Sequence, residues 1–371
     1  MTSLTIANVG VVDVAGGRVL PDQSVVVRDG RIGFGTPEGE VIDGRGKFLS
    51  PGLWDAHVHL CWKGEGSLAA LVEYGITAVR DVGGHLDQLD SWRVEIENGT
   101  RIGPRIWRAG PILNGISANE YQRVIADEQD ARAAARELAD AGVDFLKTHR
   151  RTSREAYFAL IDEGESLGLD VVGHIPIEIE PEEAATSGQA TIEHTETIFE
   201  GTWDAARTAP WAAAVRRFRE EDADALFARF VENGIPLTPT LVPWALVLDD
   251  PDSEDRAEWQ ELFPEFLAVV GQMNRAGVTL LAGTDIAADR PAGVTLHREL
   301  QLLVEAGLSP AEALRAATIT PARVLGVDDE LGTVEPGKVA DLVLLDGDPL
   351  EDISNTRRIH AVIARGARAP G

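Results

Sequence analysis

Two histidines stand two residues apart in the stretch Pro51-Gly-Leu-Trp-Asp-Ala-His-Val-His-Leu60. The stretch opens on Pro-Gly and is largely apolar, so it reads as a short strand, in which residues i and i+2 share a face. His57 and His59 could therefore both reach one metal ion, a common role for neutral imidazole. The pair needs partners from elsewhere. Similar residue types recur where other apolar runs stop: Lys147 in Phe145-Leu-Lys, His174 in Val171-Val-Gly-His, His194 in Thr191-Ile-Glu-His and Asp285 in Ala282-Gly-Thr-Asp. Four of the 8 histidines occupy such ends. Each alone is an ordinary feature, but together they point to one metal-binding locus.

The elements that must position these residues are legible as a change of texture. Candidate strands cover residues 47–54, 76–80, 105–109, 144–147, 169–173, 190–192, 235–238 and 278–282. Amphipathic helices are expected over 130–141, 153–167, 212–233 and 259–276, with a later one over 310–324. Strands alternating with helices predict βα units and a parallel sheet. Eight of them predict an α/β fold, a closed (β/α)₈ TIM barrel, whose site would lie at the C-terminal ends of the strands. That is where the candidate ligands fall.

The two ends of the chain read differently. Residues 3–50 alternate short β-branched runs with turns, including the hairpin signal Asp29-Gly30 before Arg31-Ile-Gly-Phe. The last stretch, with Gly332-Thr-Val-Glu-Pro-Gly-Lys-Val-Ala-Asp-Leu-Val-Leu-Leu and Ile359-His-Ala-Val-Ile, has the same character. Neither set is long enough to be stable alone. The expectation is a small β-sandwich built from residues 1–50 plus 328–371, with the barrel over 51–327.

Composition bounds the function. The chain has 371 residues, 44% hydrophobic and 26% charged, which is a globular balance. A formal charge of −27 argues against nucleic acid, whose phosphates require a basic footprint. Cys61 is the one cysteine, so no intrachain disulfide forms. No apolar run is long enough to cross a membrane, and the N-terminus lacks the features of a secretory signal. The expected setting is cytoplasmic, without membrane partners.

With these motifs the chain resembles the amidohydrolase superfamily, within it the prolidase-like and imidazolonepropionase-related branch. The resemblance runs from Pro51-Gly-Leu-Trp-Asp-Ala-His-Val-His through Phe145-Leu-Lys, Gly173-His, Ile192-Glu-His and Gly283-Thr-Asp to the closing β segment. It implies a binuclear site: His57, His59 and Asp285 on one divalent ion, His174 and His194 on the other, and a carbamylated (carboxylated) Lys147 bridging them. A protonated ammonium cannot bind a dication, whereas a neutral amine that captures carbon dioxide becomes a carboxylate-like ligand. The ligand set suits zinc, and manganese, cobalt or iron are also compatible.

The implied reaction is hydrolysis of an amide, linear or cyclic, in a small-molecule substrate by a metal-bridging hydroxide, with Asp285 as proton shuttle. Dipeptides are one substrate class. A lactone, carbamate or phosphoester would suit the same site. A metal-dependent isomerase or decarboxylase, or a non-catalytic scaffold, are further alternatives, the last disfavoured because all six ligand positions are present. Other substrate-contact candidates are His85 after the second strand, Asn114 and Tyr121 after the third, and His149 and Arg150 beyond Lys147, where a guanidinium, Arg150 or Arg151, would suit a carboxylate. His297 is expected to be structural and His360 to lie away from the chemistry. The chain departs from the branch in Thr148-His149 after the lysine and in Ile-Pro after His174, which weakens any transfer of dipeptide specificity. A homo-oligomer is a fair default for such enzymes.

Overall fold

The structure, a computed structural model, describes residues 3–199, 211–285 and 293–369. Its central part is a set of short parallel strands: Leu53–Val58, Ile76–Asp81, Arg105–Arg108, Leu146–Thr148, Val171–Gly173, Thr191–Glu193 and Leu237–Thr238. The first two are buried at every residue, as expected for parallel strands covered on both faces.

Hydrogen bonds pass from each strand to the next. The second strand lies between the first and the third. The Asp144 amide then donates to the Arg108 carbonyl at 3.0 Å, leading to the fourth strand and on through the fifth, sixth and seventh. Leu280 bridges to Leu237, and the Ala56 amide donates to the Ala282 carbonyl at 2.8 Å. These last bonds return to the first strand. The arrangement is of the TIM-barrel type, with mixed α and β content.

Several boundaries differ from the sequence reading. Residues 47–54 form two strands, not one. Phe48–Pro51 pairs with Ser3–Asp13 and Leu342–Leu345, whereas Leu53–Val58 pairs with Ile76–Asp81. The chain changes sheets at Gly52, whose amide bonds the Asp341 carbonyl at 2.8 Å. Ile112–Asn114 and Gln122–Val124, read as loop, are strands of three residues that pair with each other, and the former also touches the fourth strand. Three residues are too few to show a period.

The helix expected over 212–233 is divided into Trp211–Glu221 and Ala223–Glu232 by Asp222, a poor helix former in an interior position. The one expected over 310–324 is divided into Pro310–Ala316 and Ile319–Val324. There the Thr318 hydroxyl donates back to the Leu314 carbonyl at 2.7 Å, and Pro321 sits in the first turn of the second helix, where its missing N–H costs nothing.

The chain ends meet in one eight-stranded sheet. Residues 367–368, Ile359–Ala364, Leu342–Leu345, Phe48–Pro51, Ser3–Asp13, Arg18–Arg28 and Arg31–Phe34 follow in spatial order, with Glu40–Asp43 beside Ser3–Asp13. Asp29 and Gly30 both take positive φ, 50° and 78°, as a type I′ hairpin requires. Its buried side chains, among them Ile6, Val25, Leu49, Leu342 and Ile363, form a cluster separate from the main core. Two ends that could not fold alone therefore share one core.

Candidate metal centre

The C-terminal ends of the parallel strands open onto one cavity of about 280 Å³. His59, Lys147, His149, His174, His194 and Asp285 line it, and His57 lies fully buried beside them. The Asp285 carboxylate is the common neighbour. Its Oδ1 is 3.3 Å from His59 Nε2 and 3.5 Å from His57 Nε2, and its Oδ2 is 3.9 Å from His194 Nδ1. Ligand atoms of His57, His194 and Asp285 lie within 4.8 Å of one another. The His174 ring is 4.4 Å from that of His194 and 4.2 Å from that of His149, centroid to centroid. Thus all six expected ligands reach one locus.

Backbone geometry and buried polar groups hold this arrangement. His194, Thr240 and Asp285 carry positive φ of 73°, 50° and 45°, conformations that a branched or long side chain adopts only when its surroundings enforce them. Asp55, fully buried, accepts the His57 amide at 3.2 Å, the Thr284 amide at 3.0 Å and the Thr284 hydroxyl at 2.7 Å. One carboxyl thereby ties the end of the first strand to the residue before Asp285. Gly283 is required there, because a Cβ would lie 2.8 Å from the His57 nitrogen. The rings are also fixed from behind: His57 Nδ1 by Glu193 Oε2 at 2.9 Å, His59 Nδ1 by the Gly83 carbonyl at 2.9 Å, and His194 Nδ1 by the Thr240 hydroxyl at 2.8 Å.

The electrostatics favour ligands in their binding-competent states. Burial is the main cause of low imidazole pKa values: about 4 for His57 and well below the usual range for His174 and His194. These rings are neutral at pH 7. Burial also lowers the Lys147 ammonium to about 8, with the Arg80 guanidinium adding to the effect and Glu193 and Asp285 opposing it. On the order of a tenth of the amine is then neutral at pH 7, far more than for an ordinary lysine. For Asp285, burial would raise the carboxyl, but contact with His59 and the positive charge that the neighbouring rings carry at low pH outweigh it and hold the carboxyl well below its ordinary range.

The cavity wall contains residues to which the sequence reading gave no role. Trp62 stacks on His59 with centroids 4.0 Å apart. Trp244, stacked on Trp259 at 3.9 Å, donates its indole N–H to Glu196 Oε2 at 3.3 Å, and both Trp244 and Glu196 face the cavity with Gln122 and Asn119. Only loop position could have suggested these groups. Glu193 was visible in the motif Ile192-Glu-His, and Arg80 at the end of a strand, but nothing local shows that they meet.

Of the substrate-contact candidates, His149 lines the cavity and four do not. Asn114 is buried and turned into the framework: its Oδ1 accepts the Gly115 and Arg151 amides at 3.1 and 3.0 Å, and its Nδ2 donates to Gln122 Oε1 at 3.1 Å. It supports a wall residue. His85 is exposed, with its ring 4.8 Å from Tyr121 and its Nε2 3.9 Å from Glu120, because it starts a helix facing outward. Tyr121 lies behind Trp62, at 5.5 Å between ring centroids. Arg150 is half-buried, and its backbone carbonyl accepts the Ile177 amide at 2.9 Å. His297, bonded to Thr356 Oγ1 at 2.9 Å and to the Tyr74 carbonyl at 3.0 Å, is structural, and His360 lies in the terminal sheet.

The donor set fits divalent metal ions. Among the described residues, several buried nitrogens at this locus have no hydrogen-bond partner, Lys147 Nζ, His57 Nε2 and His174 Nδ1 among them. Orphaned buried polar atoms are costly unless another group satisfies them, and nitrogen donors beside a carboxylate suit zinc or a similar ion.

The chain is similar to known proteins over most of its length. An imidazolonepropionase from Symbiobacterium thermophilum is 25% identical over 375 residues, spanning 88% of this chain and 84% of that one. An ochratoxinase from Aspergillus niger is 22% identical over 430 residues, spanning 94% and 82%. The solved structure of a prolidase-like protein from Bifidobacterium longum superposes with a TM-score of 0.80 at 28% identity, over 99% of this chain and 94% of that one. The pattern of the amidohydrolase family matches residues 48–368, and the chain belongs to that family.

Proposed function

We propose that this protein is a binuclear metal-dependent hydrolase cleaving an amide bond, linear or cyclic, in a small molecule. The observation that carries the reading is Lys147. It is a fully buried lysine with no hydrogen-bond partner for Nζ among the described residues and a lowered pKa, surrounded by His57, His174, His194 and Asp285. A neutral amine in that setting is suited to carbamylation, and the resulting anion would offer oxygens to two ions at once. His57, His59 and Asp285 would hold one ion, and His174 and His194 the other, with zinc favoured by ligand type. The relatives' names, which describe hydrolases of carbon–nitrogen bonds, support the bond type.

Ions held there would supply an acidified water and polarise the carbonyl to be attacked. The side chains have separate tasks. Asp285, ionised at the cavity floor, takes a proton from the attacking water and passes it to the leaving nitrogen. His149 Nδ1 and Trp62 Nε1, buried at the wall without partners among the described residues, are placed to bond a substrate's polar atoms. The Trp62 and Trp244 rings cover apolar parts of the substrate and keep bulk water out. Residues 51–327 form the catalytic unit in this reading, and residues 1–50 with 328–371 the supporting one.

The test is elemental analysis of protein purified without chelator, paired with a hydrolysis screen of N-acyl amino acids, dipeptides, cyclic amides and lactones. About two transition-metal ions per chain are expected from two such sites, with turnover on an amide. Fewer than one ion, with no recovery after metal and bicarbonate are added, would remove the binuclear reading.

A further inference from the structure

We infer that Glu193, locked by Arg80, sets the tautomer of His57 and so acts as a positioning residue for the metal centre. The inference rests on the metal-centre reading above and concerns side chains outside the ligand set. Glu193 is fully buried on the sixth strand. Its Oε2 lies 2.9 Å from His57 Nδ1. Its Oε1 accepts the Thr191 hydroxyl at 2.7 Å and the Arg80 guanidinium. Arg80, also buried, donates Nε–H to the Ala56 carbonyl at 2.8 Å and Nη1–H to Thr191 Oγ1 at 3.2 Å, and its Nη2 lies 3.4 Å from Thr238 Oγ1. One guanidinium thus links four strands and leaves the carboxylate a single orientation.

The proton inventory then decides the state of His57. An ionised carboxylate can only accept hydrogen bonds, so Nδ1 must carry the ring proton. The lone pair is left on Nε2, which has no hydrogen-bond partner among the described residues and lies 3.5 Å from Asp285 Oδ1. Among the described residues, His57 is the ligand candidate whose Nδ1 has a carboxylate within hydrogen-bond distance. A backbone carbonyl stands behind His59 and a hydroxyl behind His194. Of these rings, Glu193 is hydrogen-bonded to His57 alone, and the tautomer of His57 is therefore what an amide in its place would change directly.

A single atom exchange tests this. In Glu193→Gln, Arg80 and Thr191 still require an acceptor, so the amide oxygen stays on them and the NH2 group turns to His57. A donor facing Nδ1 moves the ring proton to Nε2 and removes the lone pair from the centre. The logic is that of any histidine whose backing carboxylate fixes its tautomer.

The experiment is ¹⁵N NMR of the metal-free, full-length protein labelled at histidine, with the His57 signals assigned by their loss in His57→Asn. Zinc affinity is measured in parallel by competition with a chromophoric chelator. The wild type should show the Nδ1–H form. Glu193→Gln should show the Nε2–H form, with zinc affinity lowered by about ten- to hundredfold. A purely structural role would lower the melting temperature of the metal-free protein without moving the tautomer. An Nε2–H form in the wild type, or an Nδ1–H form or unchanged zinc affinity in Glu193→Gln, would overturn the inference. Should Glu193→Gln not fold, the wild-type spectrum still decides. Glu193→Asp, which keeps the charge beside Arg80 and cannot donate, must then retain the Nδ1–H form. Failure of the wild type to bind zinc at all would strike the metal-centre reading instead, since the tautomer is read without metal.

Discussion

Lys147 and Asp285 illustrate how one site uses two charged residue types in opposite ways. Burial acts against the charged form of each. For Lys147 burial prevails and lowers the ammonium, whereas contact with His59 and the charge that neighbouring rings carry at low pH hold Asp285 below its ordinary range. Two predictions follow from the difference. Lys147→Ala should lower bound metal and abolish turnover, with partial recovery when a small carboxylate such as propionate replaces the carbamate. Wild-type metal content by elemental analysis would contradict the ligand assignment. Asp285→Asn should keep some metal and lose about 10²- to 10⁴-fold in kcat, the usual size of a proton-transfer contribution. A near-normal rate would remove Asp285 from the proton path. Asn114, expected to meet substrate, instead holds Gln122, so Asn114→Ala should act on KM through a loosened wall.

At the scale of elements, the site depends on how strand ends are fastened. Glu299, buried in the helix Val294–Glu305, accepts the amides of Leu241 and Val242 at 3.1 and 2.8 Å. Those amides start the short helix Val242–Asp249, which carries Trp244 to the cavity. Glu299→Ala should leave two helix-start donors unsatisfied, destabilise the fold by about 1–3 kcal/mol and speed hydrogen exchange within 242–249 relative to the first strand. Equal exchange in variant and wild type would refute that fastening. Gly173 is another fixed point. With φ of 133° and space for no Cβ beside the Thr148 carbonyl, 2.2 Å away, Gly173→Ala should displace His174 and reduce metal content more than it changes helix content by circular dichroism.

For the molecule as a whole, the question is how the terminal sheet stays attached to the catalytic part. Arg105 Nε donates to Asp341 Oδ2 at 2.8 Å, and His297 joins the helix Val294–Glu305 to Thr356 near the C-terminus and to Tyr74. Burial holds His297 at about 4, below the ordinary value of 6.5. The unfolded chain therefore binds this proton more tightly than the fold does. Its effect is to lower stability progressively as pH falls from about 6.5 to about 4, with no further loss below that. In urea unfolding, the drop in stability between pH 7 and pH 4.5 should be smaller in His297→Leu than in the wild type. An equal drop would show that His297 does not titrate in that window. Among the described residues no helix is long and apolar enough to cross a membrane.

Residue types at strand ends, the alternation of strands and helices, the Asp29-Gly30 hairpin and the likeness of the two chain ends could all be read without a structure. Each is local: a period of two or 3.6, or a turn dipeptide, is written in neighbouring residues. That these strand-end residues share one locus was legible for the same reason, since barrel geometry sends every strand end to one face. Tertiary structure alone decided what stands behind and around those ligands. His57 meets a carboxylate 136 residues away, and Asp55 holds an amide 229 residues away. Closure of the sheet brings such pairs together, and no spacing along the chain encodes it. The same holds for the walls. Asn114, Tyr121, His85 and Arg150 sat at plausible positions in the chain, but side-chain direction in a loop follows from what it packs against, and that packing turned the cavity over to Trp62, Gln122, Glu196 and Trp244.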